Sequence, residues 1–295
     1  MGLDKYNWWA LQKTKGGASR NPKSSKYFVS TCQDRISKKD WIQVQHSLKP
    51  LQNYDKSMVL KGVLEKHTNV IVKLGDNNEI KHEYEMGKLL SKVKGFVKFI
   101  CFFQCNDDFL QYPKTTLCQG DGSSMQVIVM PYFEMGPLSG AFNVVSTKIF
   151  TSCLKHAVMS IIDAFFIANI GHNDFHVGNV VLKKTSQRKI VYQPFPNKPP
   201  FEIETNGVRT WIMDFEKSAQ VDNTSMVARD WFLYDLKKFF MMIPTLVKGT
   251  CPSNFQAINS FLNSIDIVKC SQGINHVHVV KLLELIDAIS FDFEN

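Results

Sequence analysis

Residues 146–169, STKIFTSCLKHAVMSIIDAFFIAN, restrict this chain more than any other stretch. Read at helical periodicity, apolar side chains fall on almost every face, so the spacing predicts a long helix with no side suited to water. Such a helix has to be buried, either by protein or by lipid. Its most apolar part, residues 157–170, is broken by Asp163 and is too short to span a bilayer, so no transmembrane segment is expected. The full length of 295 residues is enough for two lobes or one large domain around a sizeable core.

The chain ahead of this helix differs in character from the chain after it. SMVLKGVLEKHTNVIVKL, residues 57–74, predicts two strands with a turn near His67 to Asn69. Residues 78–93 predict a helix, because Ile80, Met86, Leu89, Leu90 and Val93 keep three-four spacing, weakened slightly by Gly87. FVKFICFF and SMQVIVMPYF predict two further strands around a polar loop that carries Asp107, Asp108, Gly120 and Gly122. After residue 169 come two short strands, NVVLKK and TWIMDF, then helical patterns in RDWFLYDLKKFFMMI and HVHVVKLLELIDAISF. Strands plus one helix, then mostly helices, make an α+β protein with a small sheet-rich lobe and a larger helical one. The junction is expected at PYFEMGPL, where Pro131, Gly136 and Pro137 cluster. The expected division is an arm at 1–40, a first lobe at 41–133 and a second at 134–295.

The net charge of +8 is concentrated in the arm. Residues 11–39 hold Lys13, Lys15, Arg20, Lys23, Lys26, Arg35, Lys38 and Lys39 against Asp34 alone. A like-charge block of this kind is either a solvated flexible arm or a tether to nucleic acid, anionic membrane or an acidic partner. Trp8, Trp9 and Trp41 bracket it and offer a way to pack it down. Seven cysteines, an odd number without metal-like pairing, point to reduced thiols in an intracellular, cytoplasmic or nuclear setting. Cys101 and Cys105 fall on a strand and its exit and do not form a knuckle. The first thirty residues lack the apolar core of a signal peptide, and Tyr6 stands where a myristoylation signal after Gly2 needs Ser or Thr.

The chemistry lies in IGHNDFHVGNVVL, residues 170–182, and in TWIMDFEKSA, residues 210–219. Phosphoryl transfer asks a protein for a group to accept the incoming hydroxyl's proton and for oxygens that hold magnesium on the phosphates. Asp174 suits the first task; Asn179, five residues on, and Asp214 suit the second. Taken without the second stretch, His172 also reads as a satisfied core histidine, and Asp174 with Asn179 as a turn-forming pair. HNDFHVGN resembles the protein-kinase catalytic loop H-x-D-x-x-x-x-N, and IMDFEKS resembles the metal-binding D-F-G with Glu216 in place of glycine. HNDFHVGNVVLKKTSQRKIVYQ is most similar to haspin, an atypical eukaryotic protein kinase, which also carries a histidine two residues after the aspartate and lacks a regular D-F-G and A-P-E. The close resemblance covers roughly residues 170–240 and the looser one about 57–290.

That resemblance implies a bilobal protein-kinase-like fold, with ATP and Mg2+ as cofactors. It makes Asp174 the catalytic base, with His172 and His176 beside it in the catalytic loop, and Asn179 and Asp214 the metal ligands. It makes Lys73, at the end of VIVK, the strand lysine that holds the phosphates. Lys73 then pairs with a helix glutamate: Glu83 by helical phase, at the edge of the apolar face, or else Glu85. VIVMPYF resembles the strand and hinge that hold adenine, with Met130 as gatekeeper and the backbone of Pro131, Tyr132 and Phe133 facing the base. In DWFLYDLKKFF, Asp235, or alternatively Asp230, matches the aspartate that braces the catalytic loop.

The departures carry information too. No G-x-G-x-x-G precedes Lys73, and only Gly62 is available to close over phosphates. Asn173 replaces an arginine that ordinarily pairs with a phosphate on the activation segment, so activation by segment phosphorylation is not expected. Only about twenty residues separate Asp214 from Asp235, and A-P-E is absent. His276 and His278 lack partners at ligand spacing and read as the start of an amphipathic helix.

The resemblance therefore implies a haspin-like kinase acting on protein Ser or Thr. One alternative is a small-molecule kinase of the aminoglycoside or choline type, which shares the histidine after the aspartate; the other is a pseudokinase used as a binding module. Net positive charge favours an acidic partner, whereas the haspin resemblance implies a basic histone tail. A compact kinase with a degenerate glycine loop would also suit a large DNA virus, with host cell or virion as its setting.

Overall fold

The long apolar helix forms over Thr147–Ala168 in the computed structural model. The structure describes residues 47–53, 57–64, 68–104, 125–143, 145–244, 253–265 and 274–289. The basic arm at 11–39, Trp8, Trp9, Trp41, Cys105 and the loop with Asp107, Asp108, Gly120 and Gly122 lie outside the described residues. The protein is a mixed α+β chain that divides into two compact units, one of residues up to 85 with 98–132, the other of residues 86–97 with 133–295. The division falls one residue before the expected boundary, and 86–97 go to the second unit.

In the first unit, β1 (Lys49–Asn53), β2 (Ser57–Leu64), β3 (Thr68–Asp76), β4 (Cys101–Gln104) and β5 (Met125–Pro131) make one antiparallel sheet in the order β1-β2-β3-β5-β4. Alternate side chains Val70, Val72 and Leu74 of β3 and Val127 and Val129 of β5 meet Leu60, Leu64 and Cys101 in a single core. These side chains share one face of the sheet; residues 126–130 of β5 are buried without interruption, so that central strand is covered on both faces. β3 runs directly into α1 (Asn77–Leu90). On that helix Tyr84 stacks against Phe102, with ring centroids 4.6 Å apart.

FVKFICFF forms a strand only from Cys101 onward. Residues ahead of it bond elsewhere: Val97 donates to the carbonyl of Ile212 at 2.9 Å, and Ile212 donates to Gly95 at 2.7 Å. Both bonds lie in the second unit. Gly95 has φ +83°, and a Cβ there would lie 1.9 Å from Ser160 Oγ, so only glycine fits this approach to the long helix.

The second unit is built around α2 (Thr147–Ala168). Ser146 caps its start by accepting from the Ile149 N–H, and Asn169 ends it in the left-handed region at φ 54°. Among the described residues it is the one helix long and apolar enough to cross a membrane, and most of it is buried inside the protein. Six short strands form here, where two were expected, in three antiparallel pairs: β6 (Ile170–Gly171) with β11 (Ala219–Gln220), β7 (Val180–Lys184) with β10 (Val208–Ile212), and β8 (Lys189–Tyr192) with β9 (Phe201–Glu204). Ile190, Tyr192, Phe201 and Ile203 are the buried alternates of the last pair, and Tyr192 Oη sits 3.0 Å from Nδ1 of His156 on α2. Three helices come next, α3 (Met226–Met242), α4 (Ser253–Ser264) and α5 (His276–Asp287). Sequence pattern alone did not reveal α4, whose few buried apolar residues, Phe255, Ile258 and Leu262, keep helical spacing in a polar segment. α5 begins with a capping box in which the His278 N–H donates to Asn275 Oδ1 and the Asn275 N–H donates to His278 Nδ1.

Candidate active site

The loop at 172–179 leaves β6 and is held from below by α3. Asp235, one of the few buried acids, accepts from the Asn173 N–H at 2.7 Å and from the Phe175 N–H at 3.4 Å. One turn further along α3, Phe239 stacks on Phe175 with centroids 4.2 Å apart. Burial pushes the Asp235 carboxyl up to about 6, although both N–H groups pull the other way. Asp230 is exposed and takes no part. Asn173 adopts φ 63°, a turn that asparagine tolerates better than most residues. Its side-chain amide donates to the carbonyl of Lys217 at 3.0 Å, tying the loop to the segment after Asp214.

Asp174 comes directly after that turn. Lys217 Nζ lies 2.8 Å from one carboxylate oxygen and Lys238 Nζ 2.6 Å from the other. Burial alone would raise this carboxyl, but the two lysine hydrogen bonds outweigh it and hold the group at about 2. His176 caps the short 3-10 turn Val177–Asn179 by accepting from the Gly178 N–H at Nδ1. That leaves its proton on Nε2, which lies 4.0 Å from Asp174 Oδ2, too far for a hydrogen bond. Burial lowers the affinity of His176 for a second proton.

Asn179 and Asp214 are placed by one antiparallel pair. Val180 faces Ile212 in the β7–β10 register. Just beyond it the Met213 N–H donates to the Asn179 carbonyl at 2.9 Å. The Asn179 amide nitrogen donates to the main-chain oxygen of Asp174 at 3.1 Å. One asparagine thus links the loop aspartate to the residue before Asp214. Strand β10 stops at Ile212, so Asp214 lies beyond the strand on which it was expected, in the left-handed region at φ 67°. The fit to magnesium rests on donor chemistry alone: with Nδ2 committed, Asn179 has Oδ1 to offer, Asp214 has a carboxylate, and magnesium takes few protein oxygens. No group of three or more His, Cys, Asp or Glu side chains able to hold a metal occurs among the described residues.

His172 has a different place from the one expected of a catalytic histidine. It is buried, its Nε2 donates to the Met213 carbonyl at 3.2 Å, and its buried Nδ1 has no partner, which marks the neutral Nε2–H tautomer. Burial lowers it to about 4. Its ring ties the start of the loop to the main chain ahead of Asp214.

In the first unit, Lys73 and Glu83 form an ion pair at 2.7 Å with both side chains buried, while Glu85 is exposed. Met130 is buried on β5 opposite Ile71. The Tyr132 N–H donates to the Asn69 carbonyl at 3.3 Å, and Pro131 has none, so neither offers a donor to a ligand. Lys61 Nζ lies 4.0 Å above the Tyr132 ring. Phe133 falls in the second unit, packed near Trp211.

Sequence reasoning missed Lys217 and Lys238. The available signal was helical phase, since Lys238 lies one turn beyond Asp235, at the flank between the buried and exposed sides of α3. No family model matches the chain, and no curated protein matches it.

Proposed function

We propose that the chain is a magnesium- and ATP-dependent phosphotransferase of bilobal, haspin-like kinase type, acting inside cells on Ser or Thr of a protein. The observation that carries this reading is the wiring of Asn179. Its side-chain nitrogen donates to the main-chain oxygen of Asp174, and its main-chain carbonyl accepts from the N–H of Met213, the residue before Asp214.

In this mechanism the acceptor hydroxyl donates to a carboxylate oxygen of Asp174, which orients it in line with the terminal phosphoryl group. Asp174 takes the proton as the new oxygen–phosphorus bond forms and the bond to the leaving diphosphate breaks. A carboxylate held at about 2 is a weak base; its main contribution is orientation, which suits a loose transition state with late proton transfer. Asn179 Oδ1 and the Asp214 carboxylate would hold magnesium, which supplies charge neutralisation on the phosphates. Lys73, steadied by Glu83, would position the phosphates nearer the nucleoside.

The test uses γ-labelled ATP and magnesium with a histone mixture and with casein, comparing wild type with Asp174→Ala. Loss of label transfer by about a hundredfold or more is expected in the variant. Equal labelling by both proteins would identify a contaminant and end the proposal.

A further inference from the structure

We propose that the exposed face of α3, together with Lys217, is the acceptor-docking surface, and that it takes an acidic polypeptide segment whose Ser or Thr lies beside both a carboxylate and a large apolar side chain. The role given to the acceptor hydroxyl rests on the phosphotransfer reading; the surface itself does not.

Val227, Trp231, Tyr234 and Lys238 recur at steps of four, three and four residues and so share one side of α3. The first three are 67%, 55% and 57% exposed. The other side of the same helix already buries Phe232, Leu236, Phe239 and Phe240. An outward row of apolar and aromatic side chains on a helix whose inward row is complete marks a binding surface. Trp231 and Tyr234 meet edge to face at 6.4 Å, which keeps both rings presented. The row leads to Lys238, whose Nζ rests on Asp174. Beside it a cavity of about 520 Å³ is lined by Asn173, Lys217, Val221, Asp222, Ala228 and Trp231, among others. Its lining includes both Asn173, the residue before Asp174, and the exposed Trp231. It has room for a bulky side chain near the acceptor hydroxyl.

Charge selects the occupant. Lys217 and Lys238 cover one oxygen of Asp174 each. Each oxygen keeps a second lone pair for an acceptor hydroxyl, and each ammonium has N–H donors beyond the one on Asp174. Lys217, whose side chain is 61% exposed, can offer them to a carboxylate neighbouring the acceptor residue. A basic segment would bring its own cations against the two ammonium groups. Of the nearby acids, Asp222 is engaged by the Thr224 N–H at 2.9 Å and hydroxyl at 2.6 Å. Glu216 adjoins Lys217 in sequence.

The experiment measures binding of fluorescent peptides to the full chain by anisotropy, without nucleotide, and then label transfer to the same peptides. One peptide carries Ser flanked by Asp and Phe; its counterpart carries Lys in place of Asp. The acidic peptide is expected to bind at least tenfold more tightly. Lys217→Glu should reverse that preference, and Trp231→Ala and Tyr234→Ala, at exposed positions, should each weaken the acidic peptide several-fold. Equal binding of the two peptides, preference for the basic one, or indifference to all three substitutions overturns the surface. Preferential labelling of a small hydroxylated compound overturns the assignment of the acceptor class. Charge-selective binding with no label transfer to any acceptor leaves the surface standing and removes the phosphotransfer reading instead.

Discussion

Asp235→Asn separates what a buried carboxylate costs from what it organises. In the folded chain Asp235 is 2% exposed, and burial carries its carboxyl from 3.8 to about 6. That rise corresponds to ~3 kcal/mol at ~1.4 kcal/mol for each tenfold change in proton affinity. Because the folded value lies above the unfolded one, the favourable contribution is complete below about pH 4 and is lost as pH rises through about 6. Wild type therefore loses ~3 kcal/mol from this group between pH 4 and pH 7, and asparagine, which does not titrate, loses none. Against that gain, an amide has one oxygen for the two N–H groups of Asn173 and Phe175. Giving up the charge-assisted bond from Asn173 costs ~1.5–3 kcal/mol. The two effects nearly cancel at pH 7, so the variant should match wild type there within ~1.5 kcal/mol. Its stability relative to wild type should nevertheless climb by ~3 kcal/mol from pH 4 to pH 7. Urea unfolding monitored by tryptophan fluorescence across that window measures the difference. A difference that stays flat with pH refutes the burial argument. On the proposed phosphotransfer reading, label transfer should fall roughly ten- to a hundredfold in the same protein, because Asn173 and Asp174 lose their anchor while the fold stands.

Three further perturbations have outcomes set by distances. Lys73→Met takes the ammonium group away from a buried Glu83 carboxylate and should cost ~3–5 kcal/mol, whereas adding Glu83→Leu should recover a large part of it; strictly additive single losses in the urea midpoints would deny the pair. Gly95→Ala forces a Cβ onto Ser160 in a positive-φ backbone and should cost ~2 kcal/mol or more, with Ser160→Gly restoring only the packing share; an unchanged midpoint would contradict the approach. Lys238→Gln removes one of the two cations on Asp174, so its carboxyl should climb from about 2 back toward 3.8 in a carboxyl carbon-13 titration. An unmoved titration would place Lys238 elsewhere in solution.

Elements with a strong local period were legible in the sequence. The all-round apolar pattern of residues 147–168 has one outcome in a folded chain, and the phase of α1 was enough to favour Glu83 over Glu85. The segment at 96–100 was misleading because Phe96 and Val97 are apolar and β-compatible, yet their backbone is used by Ile212, more than a hundred residues away. β8 and β9, at four residues each, are too short for alternation to stand out. In the site, Asp174, Asn179, Asp214 and Asp235 were visible as side-chain types at telling separations. Lys217 and Lys238 were not, because lysine on a surface is common and its significance here comes from where α3 and the segment after Asp214 bring two amines. His172 was visible but its role was not, since only geometry shows that its ring serves the Met213 carbonyl.

The asparagine at 173 shows why a departure from a familiar pattern is not simply a loss. Two non-glycine residues of this site, Asn173 and Asp214, sit at positive φ, where most side chains cost ~1–2 kcal/mol and Asn and Asp cost least. An arginine at 173 would strain the turn and would need a phosphate on the segment after Asp214 to give its charge a partner. Asn173 relaxes the turn and reaches the Lys217 carbonyl directly. The segment after Asp214 is then held by a neutral hydrogen bond at 173, by Ser218 Oγ donating to the His172 carbonyl at 3.3 Å, and by the ion pair from Lys217 to Asp174. Those three ties connect the same two stretches of chain that a phosphorylated segment and an arginine would connect. They are present without modification, so on the proposed phosphotransfer reading the short segment would need no phosphate to hold it.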